Sequence, residues 1–261
     1  MAIVAGLLIF GLPAIFLITT SLRTNVDVYS APFDVTFLPS LAAYEDALRY
    51  DLPSALAAST KITLGAVAIV MVLAIPAAYG LARATGRIRD VGVASLILLQ
   101  LLPATSLVIP LYQVLASLGL LGSIEGVVVA TSASMLPFAV ILLRPFFLGV
   151  PVEIEEAAAV DGAGRLRTFL QVTLPLARNG VLVVSVLIGM ISWGDFLYPI
   201  SFLTNPADYP LSTLLAAQVG NYGTNWPRLM SLAILMMAPL IVIFLTMERK
   251  LTAGLSMGAV K

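Results

Sequence analysis

Six stretches of this chain run for about twenty residues with almost nothing that water can solvate, and that is the length of a helix crossing a bilayer. They lie at 3–20, 62–82, 91–116, 126–147, 180–199 and 229–247. None carries the polar face that a helix of a water-soluble bundle needs. The rest of the composition agrees: 60% of the residues are hydrophobic and 11% charged, against about 25% charged in a soluble domain. The chain therefore reads as all-α and polytopic, with six transmembrane helices, and without internal repeats it reads as one domain over 1–261. The first apolar run begins at Met1 with no basic segment before it, so it reads as a span and not as a cleaved signal peptide.

Several kinds of chemistry are excluded. There is no cysteine and no histidine, which removes thiol chemistry, the commonest general base and the commonest zinc ligand. No catalytic set and no metal site is expected. Net charge is zero, which weighs against nucleic acid as a partner. A phosphate-binding loop needs Gly-Lys-Ser/Thr, yet Lys61, Lys250 and Lys261 all follow residues other than glycine. Any energy the chain uses must come from another polypeptide or from an ion gradient.

Basic residues set the orientation. With an even number of spans, ten lysines and arginines fall in the loops on the side of the termini and four on the other. Both termini are thus expected in the cytoplasm. Pro76, Pro103, Pro110, Pro137 and Pro239 fall inside the spans and predict kinks.

The long loop over 148–178 contains "EIEEAAAVDGAGRLRTFLQVTLP" at 153–175. A short helix is expected after Val150-Pro151, with Glu153, Glu155 and Glu156 in its first turn complementing the dipole. Ala157, Ala158 and Ala159 favour helix and present almost no side chain, so another surface can approach closely. Asp161-Gly162 signals a turn. A second helix over 165–172 is expected to stop before Pro175. The result is a helical hairpin between the fourth and fifth spans.

The run Glu156-Ala157-Ala158, then Asp161-Gly162-Ala163 and Leu174-Pro175-Leu176, resembles the EAA loop of ABC-importer permeases. "SLR" at 21–23, "WGDFLYP" at 193–199, "NYGTNWPRLMSLAILMMAPL" at 221–240 and the tail "LTAGLSMGAVK" resemble the carbohydrate branch, which includes the smaller maltose-transporter permease. Two departures are visible: Gly194 stands where the family usually has asparagine, and Leu255-Ser256-Met257 interrupts the tail pattern. The resemblance implies a prokaryotic inner-membrane subunit forming half of a path for a sugar or sugar-like solute. It implies that Glu156, Ala157, Ala158, Asp161, Gly162, Ala163, Leu174 and Pro175 form a coupling helix and its hairpin, docking on an ATPase. The implied partners are a homologous permease, two cytoplasmic ATPase subunits and an extracytoplasmic solute-binding protein. ATP and Mg would sit on the ATPase subunits, with no cofactor on this chain.

Asp195 is an ionisable residue within the fifth span, near its outer part, a costly and often functional kind of placement. Ser185, Gly189, Ser192 and Asp195 share one helical face by their spacing and suit the lining of a path. Small residues that pack helices, with Asp195 bonded to nearby backbone, would share that face equally well. Ser106 and Gln113 form a second such stripe. The segment 204–226, with Asp208, Tyr209, Asn221, Tyr222 and Trp226, is a polar and aromatic mix expected outside the cell against the binding protein. The glycine-rich tail over 249–261 is not expected to fold alone. An ion-coupled transporter would need more intramembrane ionisable groups than Asp195, and an intramembrane enzyme would be left with serine or carboxylate chemistry only.

Overall fold

The structure, a computed structural model, describes residues 2–32, 36–219 and 223–259; at 2–8, 10, 50–51 and 248–259 only the backbone is described. In chain order the helices are α1 (Ala2–Ser21), α2 (Asn25–Ser30), α3 (Ala42–Asp46), α4 (Leu52–Arg83), α5 (Gly86–Gln100), α6 (Ala104–Ser117) and α7 (Ile124–Leu148). There follow α8 (Val152–Val160), α9 (Arg165–Thr168), α10 (Leu174–Leu176), α11 (Arg178–Gly194), α12 (Leu197–Phe202), α13 (Leu211–Ala217) and α14 (Trp226–Ala259). Among the described residues there is no strand. The chain forms two compact units, one of residues 1–60 with 203–245 and one of 61–202 with 246–261.

The second unit carries the hairpin. Its core is formed by α4, α7 and α11. Val70, Ala74, Ala78 and Ala82 recur every four residues on α4 and are buried against Ala139, Val140, Leu143 and Phe147 of α7 and Val184 and Ile188 of α11. The small residues in that row let helix axes approach, which replaces the hydrophobic drive that lipid does not supply. Gly180 makes the tightest approach: a Cβ there would overlap the ring of Phe146. Outward faces are as greasy as the core, with Leu64, Val72, Leu98 and Ile109 all exposed. α4 has 32 residues, hence about 48 Å at ~1.5 Å per residue. This exceeds the ~30 Å hydrocarbon layer, so the helix overhangs it, and Lys61 and Arg83 bracket the apolar stretch 62–82.

In the first unit polar side chains tie loops to helices. Thr24 and Asp27 form a capping box on α2. Arg23, 5% exposed, donates to the carbonyls of Asp27, Ala31 and Pro32 at 2.5–3.0 Å and lies over the Phe37 ring. The Leu211 amide donates to Ser59 Oγ at 2.9 Å, and Arg228 pairs with Asp46 at 3.2 Å.

Among the described residues three helices are long and apolar enough to cross a membrane, α4, α7 and the part of α14 up to Met247. The number rises to five if each of two bent pairs is one span. The expected rod over 91–116 is one such pair: α5 and α6 meet at 96°. Pro103 is the cause. It cannot donate to a helix, its own ψ is extended at 136°, and α6 restarts from its carbonyl, to which Ser106 N–H donates. Pro76, Pro110, Pro137 and Pro239 lie within continuous helices. The other pair is 165–176 with α11, meeting at 74°, and the expected rod over 180–199 divides separately. α11 ends at Gly194, Asp195 turns extended with ψ 123°, and α12 begins at Leu197. The expected span 3–20 is the helix α1, where most side chains of its first half lie outside the described residues. The tail differs from expectation too: α14 runs on to Ala259. Its continuation, Glu248-Arg249-Lys250-Leu251, consists of good helix formers.

Candidate functional site

The hairpin between α7 and α11 starts at Pro151, whose ψ of 136° turns the chain out of α7 and into α8. α8 ends in a Schellman motif. The Ala163 amide reaches back to Ala158 O at 2.9 Å and the Gly162 amide to Ala159 O at 3.0 Å. Gly162 takes φ +86°, with nothing within 4 Å of a Cβ built there. Glycine is therefore required by backbone conformation and not by crowding.

The second leg runs further than expected. α9 passes through a π-turn at Phe169–Thr173 into α10 and stops at Ala177, with Pro175 inside the helical path. The wide turn explains this. Leu174 N–H bonds Phe169 O, five residues back, so the ladder is already displaced where Pro175 would otherwise break it.

The two faces of the hairpin differ. Glu153, Glu156, Ala157, Asp161, Gly162 and Pro175 are exposed, and Ala158, Ala163 and Leu174 are half-buried. Large apolar side chains stand beside the turn, with Val160 88% and Leu166 71% exposed. A small-residue ridge flanked by bare apolar groups suits docking against another protein surface.

The inner face holds a cluster that sequence reasoning did not find. Arg83 at the end of α4 pairs with Glu155 of α8, Nη2 to Oε1 at 2.6 Å, with Nε 3.2 Å from both carboxylate oxygens. Thr173 Oγ1 donates to Oε1 at 2.9 Å and Tyr79 OH to Oε2 at 3.1 Å. Arg83 also donates to Phe147 O at 3.1 Å and Val150 O at 3.0 Å. Tyr79, Phe147 and Phe169 form the apolar floor, with ring centroids 4.7–6.4 Å apart. Burial pushes the Glu155 carboxyl up, but hydrogen bonds from Arg83, Thr173 and Tyr79 outweigh it and hold the group below the usual carboxylate range. Tyr79 and Arg83, four apart on one helix, were the signal available in the sequence.

The other predicted residues are dispersed. Ser185 Oγ donates to Val181 O, and Ser192 is buried. A Cβ at Gly189 would lie 3.6 Å from Val67 and 3.9 Å from Thr63 on α4. Asp195 Oδ1 accepts from the Leu197 amide at 3.0 Å and Oδ2 from Thr131 Oγ1 at 3.2 Å. This stripe therefore meets packed neighbours and backbone along most of its length. Ser106 and Gln113 are exposed on α6. Asp208 and Tyr209 are half-buried around a 3-10 turn, and Trp226 opens α14. Asn221 and Tyr222 lie outside the described residues. The segment 204–226 contains a packed helix, α13, with Leu211, Ser212 and Thr213 buried. Among the described residues no cluster of acidic side chains could hold a metal ion.

The chain is similar to the sulfoquinovosyl glycerol transport system permease protein of Agrobacterium fabrum, 28% identical, covering 98% of this chain and 90% of that one. It is similar to the trehalose transport system permease protein of Mycobacterium tuberculosis, 31% identical over 96% and 92% of the two chains. The melibiose/raffinose/stachyose import permease protein of Bacillus subtilis is 30% identical over 96% and 91%. Among solved structures, a chain of a bacterial ABC transporter involved in the import of the acidic polysaccharide alginate superposes with TM-score 0.80. At 22% identity, covering 95% of this chain and 94% of that one, it supports the fold alone. A family model described as "Binding-protein-dependent transport system inner membrane component" matches residues 70–256, a stretch that includes the hairpin, its latch on α4 and the Asp195 break. The resemblance drawn from the loop thus holds, and the chain is a multi-pass membrane protein that belongs to the binding-protein-dependent transport system inner membrane component family.

Proposed function

We propose that this chain is a permease subunit of a binding-protein-dependent ABC importer for a sugar or sugar-like solute. It works as one permease domain over 1–261, with six spans and both termini in the cytoplasm. It forms half of the path, with a homologous permease supplying the other half. Glu156, Ala157, Ala158, Asp161, Gly162 and Ala163 dock on a cytoplasmic ATPase, supported by Leu174 and Pro175. ATP and Mg belong to two such ATPase subunits, and an extracytoplasmic binding protein delivers the solute to the segment 204–226. Ser185, Gly189, Ser192, Asp195, Ser106 and Gln113 shape the path, the first four mainly through helix packing.

One observation carries the reading: a hairpin whose turn is closed by Gly162 bears bare apolar groups outward while a half-buried ion pair holds it to the membrane helix α4. The sugar assignment is supported by the names of the relatives, whose solutes are diverse glycosides. The test is reconstitution in liposomes with the neighbouring permease, ATPase and binding protein. ATP-dependent uptake of trehalose, melibiose or another glycoside should require all components. Robust uptake by this chain alone, or driven by an ion gradient without ATP, would reject the proposal.

A further inference from the structure

The hairpin is continuous with the bundle only through its two ends, at Gly149–Val150 after α7 and at Ala177 before α11. Neither joint makes α8 move with α4. That connection is made across 72 residues of sequence by the Arg83 guanidinium, with the Tyr79 hydroxyl on the same carboxylate and the Tyr79 ring against Phe169. Arg83 spreads over three things at once: the last-turn carbonyl of Phe147 on α7, the Val150 carbonyl at the joint, and the Glu155 carboxylate on α8. Phe147 O already accepts the Val150 amide at 3.2 Å, so Arg83 adds a second donor to a last-turn carbonyl and reaches a loop carbonyl just beyond the helix. The third is the only one of the three glutamates in α8 that is not exposed. The same carboxylate accepts Thr173 from the second leg, a residue with no exposed surface. One side chain therefore ties α4, α8 and the π-turn together. Side-chain exposure is 19% for Arg83 and 12% for Glu155. In such partial dryness, removing one partner strands the other, so the network resists piecemeal opening.

We propose that Glu155, held by Arg83, Tyr79 and Thr173, is a positioning residue that makes α8 and the inner end of α4 move as one body during transport. Adjacent glutamates thus divide the work: Glu156 faces outward to the docking partner, and Glu155 faces inward to the bundle. The proposal rests on the reading of the hairpin as an ATPase-docking element. It concerns what happens after docking, when displacement of α8 must reach a spanning helix that the hairpin does not adjoin in sequence.

The experiment uses the assembled importer in lipid. This chain is free of cysteine, so spin labels at Glu153→Cys on α8 and Ala77→Cys on α4, both exposed positions, report one separation. It is measured at rest and after trapping with Mg-ATP and vanadate, alongside retained ATPase subunits and ATP hydrolysis. The expected result is a narrow separation that is the same in both states. Glu155→Gln and Arg83→Ala should keep the ATPase subunits but lose that constancy, with a broadened, trapping-dependent separation. The double variant should be no worse than either single one. Thr173→Val, which removes one donor and keeps the shape, should broaden it partially and covers the case where the stronger variants fail to assemble. A separation as narrow and constant in Glu155→Gln and Thr173→Val as in the unaltered chain overturns the proposal, as does one that changes on trapping in the unaltered chain. Absence of any ATPase subunit from the unaltered assembly would instead reject the docking reading, and this proposal with it.

Discussion

Thr131 Oγ1 lies 3.2 Å from Asp195 Oδ2, joining the N-terminal third of α7 to the break between α11 and α12. The other carboxylate oxygen caps α12 through the Leu197 amide. One side chain therefore caps the start of α12 and ties it to α7, at the residue whose backbone ends α11. The charge found in the sequence at this depth has a structural job.

That job predicts a graded mutational series. Asn caps helices about as well as Asp, so Asp195→Asn should leave thermal stability in detergent close to that of the unaltered chain. Asp195→Leu should cost about 1–3 kcal/mol, because the Leu197 amide and Thr131 hydroxyl lose an acceptor. If Asn and Leu lower the melting temperature equally, the hydrogen bonds are not what matters there.

Gly162 predicts a lesion confined to the hairpin. A β-branched residue at φ +86° should cost roughly 1–2 kcal/mol, while Asn, which tolerates that region, should be milder. Gly162→Val is expected to insert normally and lose solute-stimulated uptake in proteoliposomes, with Gly162→Asn retaining a larger share. Glu156→Lys should also impair uptake while inserting normally. Full uptake in Gly162→Val and Glu156→Lys would reduce the hairpin to a linker.

Glu155 predicts a pH dependence. Its carboxyl sits below the ordinary value in the folded protein. It therefore contributes stability that is fully present above the unfolded value of about 4.3 and is lost as pH falls through the depressed folded value. The melting-temperature gap between the unaltered chain and Glu155→Gln should be largest near neutrality and close below pH ~4. A gap independent of pH would show that the ionised carboxylate contributes nothing.

Gly180 predicts a clash that can be relieved. Gly180→Ala places a methyl group into the Phe146 ring, an overpacking expected to cost about 1–3 kcal/mol. Phe146→Ala in the same chain opens the space, so the double variant should recover part of the loss seen by thermal melting when it is compared with Phe146→Ala alone. Additive losses would mean that the two helices do not meet there.

The topology yields a labelling experiment. Cysteines at Thr204 and Asp208 should react with an impermeant maleimide in intact cells, and one at Asp161 only after permeabilisation. The reverse pattern would overturn the cytoplasmic assignment of the termini.

The long apolar helices α4, α7 and α14 and the hairpin were legible in the sequence because their causes are local. About twenty uncharged residues need lipid whatever surrounds them, and Asp161-Gly162 turns a chain through its own backbone. The motif around Glu156 likewise sufficed to indicate the family. What the sequence left undecided depends on which distant residues become neighbours. Glu155 looked like one more first-turn carboxylate until the four-residue row on α4 packed against α7 and brought Arg83 beside it, 72 residues away. Asp195 looked equally suited to a path or a cap until Thr131, 64 residues away, faced it. Pro103 and Pro137 looked alike as span prolines, yet one breaks its helix and the other rides inside one. Proline removes the same hydrogen bond in each case. Whether the helix survives is set by the packing around it, and that packing exists only in the folded chain.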